Sequence, residues 1–218
     1  MAGHFPEAEQ KRISLRPHRS NTMKIWLLPL ALMAGTSSAS LAVAAPRPAP
    51  RSPHTPRLLN MSRQVATYLK QNNMQGVSRY VDSRWGLRFS GEVFVNDGDV
   101  KLSRTQVARL RTDKTIRNWG TYYGDDGPIK LNWTDYRKRY VWPRDFTMDK
   151  RASVNGTVRG HSTVINNMRE FYPKATFVEF YLPPSSHDGM DWASLWMVWR
   201  QNGATWRLIG IAYNQWST

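Results

Sequence analysis

The C-terminal third of the chain carries the clearest alternation of side chains. Three segments, 176–182, 191–200 and 205–216, are rich in aromatic and β-branched residues and alternate at the two-residue period of a strand. The second of the two turns between them, QNGA, contains the Asn-Gly pair typical of a β-hairpin. The pattern predicts a three-stranded antiparallel meander. Both of its faces are largely apolar, so we expect helices to cover one face and sheet curvature or a partner to enclose the other.

Strict alternation also predicts which residues share a face in the last strand. One set comprises Trp206, Leu208, Gly210 and Ala212, and the other Arg207, Ile209, Ile211 and Tyr213. In the middle strand, Trp192, Ser194, Trp196 and Val198 alternate in the same way with Ala193, Leu195, Met197 and Trp199.

The residues before the meander show helical spacing. The predicted elements are helices over 58–71 and 74–81, an extended stretch over 86–95, a helix from the Ser103/Gln106 capping box to Leu110, a strand over 119–123, and an Asn132-capped helix over 133–142. Segment 153–171 fits either a strand or a helical turn. Helices followed by a terminal meander predict an α+β fold in which N-terminal helices pack on a curved antiparallel sheet.

Three segments precede this domain, which we place at residues 57–218. Residues 23–44 have the positive start, short apolar run and Ala42-Val43-Ala44 motif of a secretory signal peptide, with cleavage near Ala44. Residues 1–22 are interpreted as a start-site artefact or a disordered extension, and residues 45–56 as a Pro-rich linker. The sequence therefore predicts a secreted or periplasmic protein.

The composition of the chain excludes several kinds of site. The 218 residues include ten Trp and no Cys, which excludes disulfides, thiolate metal sites and a cysteine nucleophile. A domain of this size can bury enough apolar surface to fold without bridges or metals, so we expect aromatic packing to supply the core and no cofactor to be needed.

The charge is strongly basic, with 31 Lys and Arg against 16 Asp and Glu and a formal charge of +15. Such a charge favours anionic partners, here an anionic envelope polymer, or it serves solubility alone. A basic set follows the capping box and continues on the next helix: Arg104, Arg109, Arg111, Lys114, Arg117 and Arg137-Lys138-Arg139. Nearby tyrosines make a nucleic-acid surface conceivable, but export argues against it.

Several stretches together resemble an uncharacterised family of secreted bacterial proteins. These are GLRFS at 86–90, WGTYYGDDGPIKL at 119–131, EFYPKATFVEFYLP at 170–183, GMDWASL at 189–195 and LIGIAYNQWST at 208–218. The order of elements also resembles the nuclear transport factor 2-like (SnoaL-like, cystatin-like) superfamily, which implies a cone-like fold with a pocket between helices and sheet. The resemblance implies no assigned activity, and Tyr213-Asn214 stand where the family often has His-Asp.

Candidate catalytic residues are four titratable side chains. His161, Glu179, Asp191 and Asp145 could supply an acid/base pair if two of them share the pocket, because burial would shift their pKa values towards neutrality. A divalent metal could bind His187, Asp188 and Asp191, but their spacing is more typical of a solvated turn, and we expect no metal.

Candidate ligand-binding residues are Trp119, Tyr123, Trp199 and Asn214, which could meet an apolar or sugar ligand. Core packing is the alternative for tryptophans at strand positions, namely Trp192, Trp196, Trp199 and Trp206. Two functions remain open. A binding or envelope-associated module predicts an apolar pocket without convergent titratable groups and one basic outer face. A small SnoaL-like hydrolase, isomerase or cyclase predicts two or more of the four acid/base candidates inside a single cavity. A homodimer through an exposed sheet face is compatible with either.

Overall fold

The computed structural model describes residues 55–121 and 127–216. Its elements are α1 (Thr55–Lys70), α2 (Met74–Ser78), β1 (Leu87–Ser90), β2 (Lys101–Leu102), α3 (Arg104–Arg109), β3 (Arg117–Thr121), β4 (Pro128–Leu131), α4 (Trp133–Tyr136), β5 (Ser153–Val154), α5 (Met168–Phe171), β6 (Thr176–Leu182), β7 (Ala193–Asn202) and β8 (Thr205–Gln215). Residues 1–22, the signal peptide, its cleavage site, linker residues 45–54 and Tyr123 lie outside the described residues.

The predicted C-terminal meander is confirmed. β6, β7 and β8 pair antiparallel, and Phe180, Leu195 and Tyr213 occupy matching positions in the three strands. The β7–β8 hairpin turns at Gly203, whose φ of 57° lies in the left-handed region that glycine adopts without strain. These three strands form the centre of a curved six-stranded sheet with the order β2-β1-β8-β7-β6-β5. The fold is α+β, as the sequence predicts.

The pairing of β1 was not predicted. β1 lies parallel to β8 while β2 pairs antiparallel to β1, so the sheet is mixed. The predicted extended stretch over 86–95 is a strand only as far as Ser90. The chain then leaves the sheet at Gly91, where a Cβ would lie 3.2 Å from Ile129.

The two faces of the central strands are both buried, but by different parts of the chain. The main face packs against the helices through buried residues such as Leu69, Val77 and Trp199. The second face packs against segments 91–95 and 158–175, whose Val95 and Met168 side chains are fully buried. The chain itself therefore covers the face that we expected curvature or a partner to enclose.

A β-bulge in β8 makes the strict alternation predicted for that strand wrong. Val198 pairs with Gly210 but Trp199 pairs with Leu208, so Ile209 is an extra residue in β8. Trp206 and Leu208 therefore join Ile211 in the main core instead of facing the side of Gly210. The alternation predicted for β7 is confirmed, because odd-numbered positions 195–199 face the main core and Trp196 and Val198 face the second cluster.

The helices follow their sequence signals with local differences. The capping box is present, because Gln106 N–H donates to Ser103 Oγ and Ser103 N–H donates to Gln106 Oε1. α1 begins at Thr55, which brings Pro56 out of the predicted linker into a first helical turn, where a missing N–H is tolerated. The helix predicted over 133–142 is α-helical to Tyr136 and a π-helix over Arg137–Val141.

Two minor elements complete the described fold. β3 pairs antiparallel with β4, which the sequence did not predict, and the two form a separate small sheet. The ambiguous segment 153–171 contains both the short β5 and the helical turn α5. In the part of the chain that is described, no helix is long and apolar enough to cross a membrane.

Aromatic side chains fill the space between the helices and the sheet. The Trp119 ring stacks on Tyr136 with ring centroids 3.9 Å apart, and Phe89 meets both rings edge-on. Trp119 Nε1 donates to Leu131 O at 2.8 Å, so its polar atom is satisfied inside the core. Such packing stabilises the fold through large buried areas as well as ring geometry.

We predict that Trp119→Ala lowers the free energy of unfolding by about 4 kcal/mol, because the residue is fully buried and its removal leaves a cavity. Trp85→Ala is the matched control and should cost less than about 1 kcal/mol, because 48% of Trp85 is exposed. Urea denaturation of both variants measures the difference. Equal losses would contradict the assignment of Trp119 to the core.

Candidate functional site

A groove of about 550 Å³ opens where the segment that covers the second sheet face ends against β1 and β7. Three aromatic side chains, Trp85, Phe171 and Tyr172, contribute to its walls. Its lining also includes four cationic side chains, which are Arg88, Lys101, Lys174 and Arg200. Among the described residues that line the groove, Asp97 supplies the one carboxylate, and 96% of that side chain is exposed.

A local turn holds Trp85 at the rim. The buried carboxylate of Asp82 accepts the backbone N–H groups of Arg84 at 2.8 Å and of Trp85 at 2.9 Å, as Asp does in turns. Gly86 follows with φ 71°, and a Cβ there would lie 2.5 Å from Leu102 O. The chain therefore has to turn here, which leaves the Trp85 indole outside the core.

Arg88 builds the inner end of the groove. Its Nη1 donates to three backbone carbonyls, those of Asn96 at 2.7 Å, Asp97 at 2.8 Å and Asp99 at 3.0 Å. Its guanidinium also lies 5.1 Å from the Phe171 ring centroid, and only 11% of the side chain is exposed. Arg88 is thus a fixed structural cation that still contributes positive charge to the groove.

Tyr172 lies beside Arg88 at the inner end of the groove. Burial raises the pKa of Tyr172 to about 12, and the nearby Arg88 opposes this shift only in part. The phenol is therefore neutral at physiological pH. Gly210 makes room for it, because a Cβ there would lie 3.2 Å from the Tyr172 hydroxyl oxygen.

The outer cations of the groove are free to meet a ligand. Arg200 lies over the Trp85 ring at 4.4 Å, a cation–π contact that fixes the guanidinium while leaving its N–H groups in the plane available. Within the described residues, no ion pair joins Arg200, Lys101 or Lys174 to a carboxylate. The groove can therefore bind an anion together with a ring that packs on its aromatic walls.

The four candidate acid/base residues have separate environments. Asp145 accepts from Lys70 at 2.6 Å and from Thr147, and these bonds outweigh burial and lower the pKa of Asp145. Asp191 accepts from Ser185 and Ser186, which lower the pKa of Asp191. His161 is exposed, and Glu179 is buried under the second sheet face. None of the four lines the groove.

Glu179 belongs to a buried charge network that sequence reasoning missed. Arg159 Nη2 donates to Asp149 at 2.7 Å, and Arg159 Nε lies 3.3 Å from Glu179. The side chains of Asp149 and Glu179 are only 4% and 2% exposed. Asp149 also accepts the backbone N–H of Tyr181 at 2.8 Å, so one arginine joins segment 155–171 to β6 and to the turn before β5.

The pKa values of Asp149 and Glu179 are shifted in opposite directions. Burial alone would raise the pKa of Asp149, but its hydrogen bonds from Arg159 and from the N–H groups of Tyr181 and Arg151 hold that pKa below its ordinary value. Burial raises the pKa of Glu179, and the longer contact with Arg159 does not offset it. Arg159 is therefore mainly the partner of Asp149. The network ties the segment 158–175 to the sheet, and none of its three residues lines the groove.

The candidate ligand-binding residues lie mainly in the interior. Trp119 and Trp199 are 0% exposed in the main core, where an external ligand cannot reach them. Asn214 is buried and its Oδ1 accepts from Ser162 Oγ at 3.1 Å. Tyr123 lies outside the described residues. Trp192, Trp196 and Trp206 are also buried, as the core alternative expects.

Much of the basic sequence set has structural partners. Arg104 donates to Val81 O at 2.6 Å, Arg117 pairs with Asp113 at 2.5 Å, and Arg137 donates to Leu69 O at 2.5 Å, near the end of α1. Arg109 and Arg111 are exposed. Sequence reasoning followed this set and missed Trp85, because no local signal separates this exposed Trp-Gly pair from Trp119-Gly120, whose indole is fully buried.

The turn with His187, Asp188 and Asp191 is organised by serines. Ser186 Oγ donates to Asp188 at 2.5 Å, and Met190 N–H donates to the same carboxylate. Across residues 55–121 and 127–216, no group of three His, Asp or Glu side chains is arranged to hold a metal ion.

No family model, no curated protein and no solved structure matches this chain. The groove and its charges therefore carry the functional argument.

We predict opposite effects for two isosteric variants in the network. Asp149→Asn should lower the free energy of unfolding at pH 7 by about 3 kcal/mol, because it removes the better partner of Arg159, whose side chain is only 22% exposed. Glu179→Gln should leave stability unchanged or raise it, because the raised pKa of Glu179 means that its ionised form is disfavoured in the folded state.

The contributions of Asp149 and Glu179 to stability should change with pH in opposite senses. Asp149, with a lowered pKa, stabilises the fold above its ordinary value of 3.8, and this contribution is lost as the pH falls. Glu179 should reduce stability as the pH rises from its ordinary value of 4.5 through its raised value. Urea titrations from pH 8 down to about pH 2 test both, because the Asp149 contribution is lost only below its ordinary pKa. A Glu179→Gln variant that loses stability relative to the native chain on going to high pH would contradict the assignment.

Proposed function

We propose that this chain is a secreted or periplasmic binding module that takes an anionic polymer of the cell envelope in its groove. The observation that carries the proposal is the stacked Arg200–Trp85 pair beside Lys101 and Lys174 in a concave site. Cations without protein counter-ions favour anionic ligands, and a concave wall with exposed aromatic surface favours a ring.

An anionic glycan combines these features. A sugar ring can pack on Phe171 and on the exposed part of Trp85, while a carboxylate or phosphate on the ring accepts hydrogen bonds from Arg200 and the lysines. A purely apolar ligand would leave the cations unpaired. A neutral sugar would gain nothing from the positive charge that surrounds the groove.

The alternative, a small SnoaL-like enzyme, has less support. An acid/base mechanism needs two titratable groups within reach of one substrate. The pKa values of Asp145 and Asp191 are lowered by local hydrogen bonds, and Glu179 is buried beside Arg159. Binding without a chemical step is the function that this arrangement favours.

The cone-like fold of nuclear transport factor 2-like proteins is part of the same proposal. Helices that precede a curved sheet, and a long meander that ends it, support the resemblance. In such a cone the expected pocket lies between helices and sheet. Here fully buried aromatic side chains such as Trp119 and Trp133 occupy that side, and the groove opens on the second face.

We predict that Arg200→Glu and Lys174→Glu each weaken binding of polygalacturonate to the exported chain by about tenfold or more, since each reverses a charge that faces the ligand. Arg111→Glu is the control, because it makes the same charge change at an exposed position that does not line the groove. Isothermal titration calorimetry at low salt measures the affinities, and circular dichroism checks folding.

A parallel titration with polyglycerol phosphate distinguishes carboxylate from phosphate ligands. The proposal fails if neither polymer binds the native chain, or if Arg111→Glu weakens binding as much as Arg200→Glu does. Turnover of a polymer by the native chain would favour the enzyme instead.

A further inference from the structure

Two arginines face each other across the β7–β8 hairpin. Arg200 and Arg207 are directly paired in the antiparallel register, which places their side chains on the same face of the sheet. Like charges in this position are destabilising. Arg200 lies over Trp85, while Arg207 Nη1 reaches Arg79 O at 3.5 Å, so the two side chains lead in different directions from one strand pair.

The positive surface continues past Arg207. Arg79 and Arg84 are exposed beyond the end of α2, and Val81 forms a parallel bridge with Leu208 that holds this segment against β8. The neighbouring carboxylate, Asp82, is buried and accepts two backbone N–H groups. Among the described residues, no carboxylate forms an ion pair with Arg79, Arg200 or Arg207.

We propose that Lys174, Arg200, Arg207 and Arg79 form a cationic track for a linear polyanion, which enters the groove and crosses the β7–β8 hairpin to the end of α2. This inference rests on the proposed function and specifies its ligand as an anionic glycan several units long. A single sugar reaches only the groove. A chain with a charge on each unit neutralises Arg200 and Arg207 together and relieves their repulsion.

Other polyanions fit the surface less well. Nucleic-acid sites for single strands use several exposed aromatic platforms on which successive bases stack, whereas Trp85 is the one exposed aromatic side chain among the described residues that line the groove. A membrane surface is flat and would not fill a concave groove of about 550 Å³. A flexible glycan can follow both the groove and the exposed track.

The test compares ligand length with track variants. Digalacturonate, hexagalacturonate and dodecagalacturonate are titrated into the native exported chain and into Arg79→Ala, Arg207→Ala and the double variant, with Arg111→Ala as the control. We expect hexamer affinity to fall at least tenfold in the double variant while dimer affinity stays within twofold. The slope of log affinity against log salt should also decrease, because fewer cations are neutralised on binding.

A second readout is thermal stability, measured first without a ligand and then with one. Arg207→Gln should raise the melting temperature of the unbound chain, since it removes the like-charged neighbour of Arg200. Saturating hexagalacturonate should stabilise the native chain more than this variant and so reduce the difference. A melting temperature that falls in Arg207→Gln would count against the track.

The outcomes separate this inference from the proposed function. If the dimer binds at the groove but the hexamer binds no more tightly, and the track variants change nothing, the track is overturned and the groove stands. If neither the oligogalacturonates nor polyglycerol phosphate binds, both fail. Tighter binding of twelve-residue oligothymidylate than of dodecagalacturonate, or binding to phosphatidylglycerol vesicles without glycan binding, overturns the glycan as the ligand.

Discussion

The fold depends on the need to bury both faces of the β6–β8 meander. A sheet with one polar face could leave that face in water, but Phe177, Trp196 and Val198 make the second face apolar as well. The helices cover one side, and segments 91–95 and 158–175 cover the other. The groove lies where this second cover ends, so the site is a consequence of how the sheet is enclosed.

The second cover is held by polar contacts as well as by apolar packing. Asn167 exchanges two hydrogen bonds with the backbone of Val95, which ties the two covering segments together. Arg159 joins the same cover to Asp149 and to β6. A buried ion pair adds little net stability but is costly to break, so these contacts oppose displacement of the segment that carries Phe171 and Tyr172.

The sequence predicts local structure well and the groove poorly. The meander, the capping box and the Asn132 cap are visible because each depends on residues close together in the chain. The parallel β1–β8 pairing and the Ile209 bulge depend on which strands meet, which no local pattern encodes. The groove brings together residues from segments 85–88, 97–101, 171–175 and 200–209, each of which reads in isolation as an ordinary turn or strand end.

The stability of the main core offsets the unfavourable contacts at the groove. Fully buried rings such as Trp119, Trp133 and Phe89 supply stability from the main core, and none of them lines the groove. A surface that places Arg200 opposite Arg207 and leaves Trp85 exposed is a local departure from what stability alone would select. These unfavourable features lie close together in the fold. The turn at Asp82 holds the backbone of Trp85, and Arg88 is fixed by its own hydrogen bonds. Among the described residues no carboxylate pairs with Arg200 or Arg207, and the polyanion proposed above would supply the negative charge that this cross-strand pair lacks.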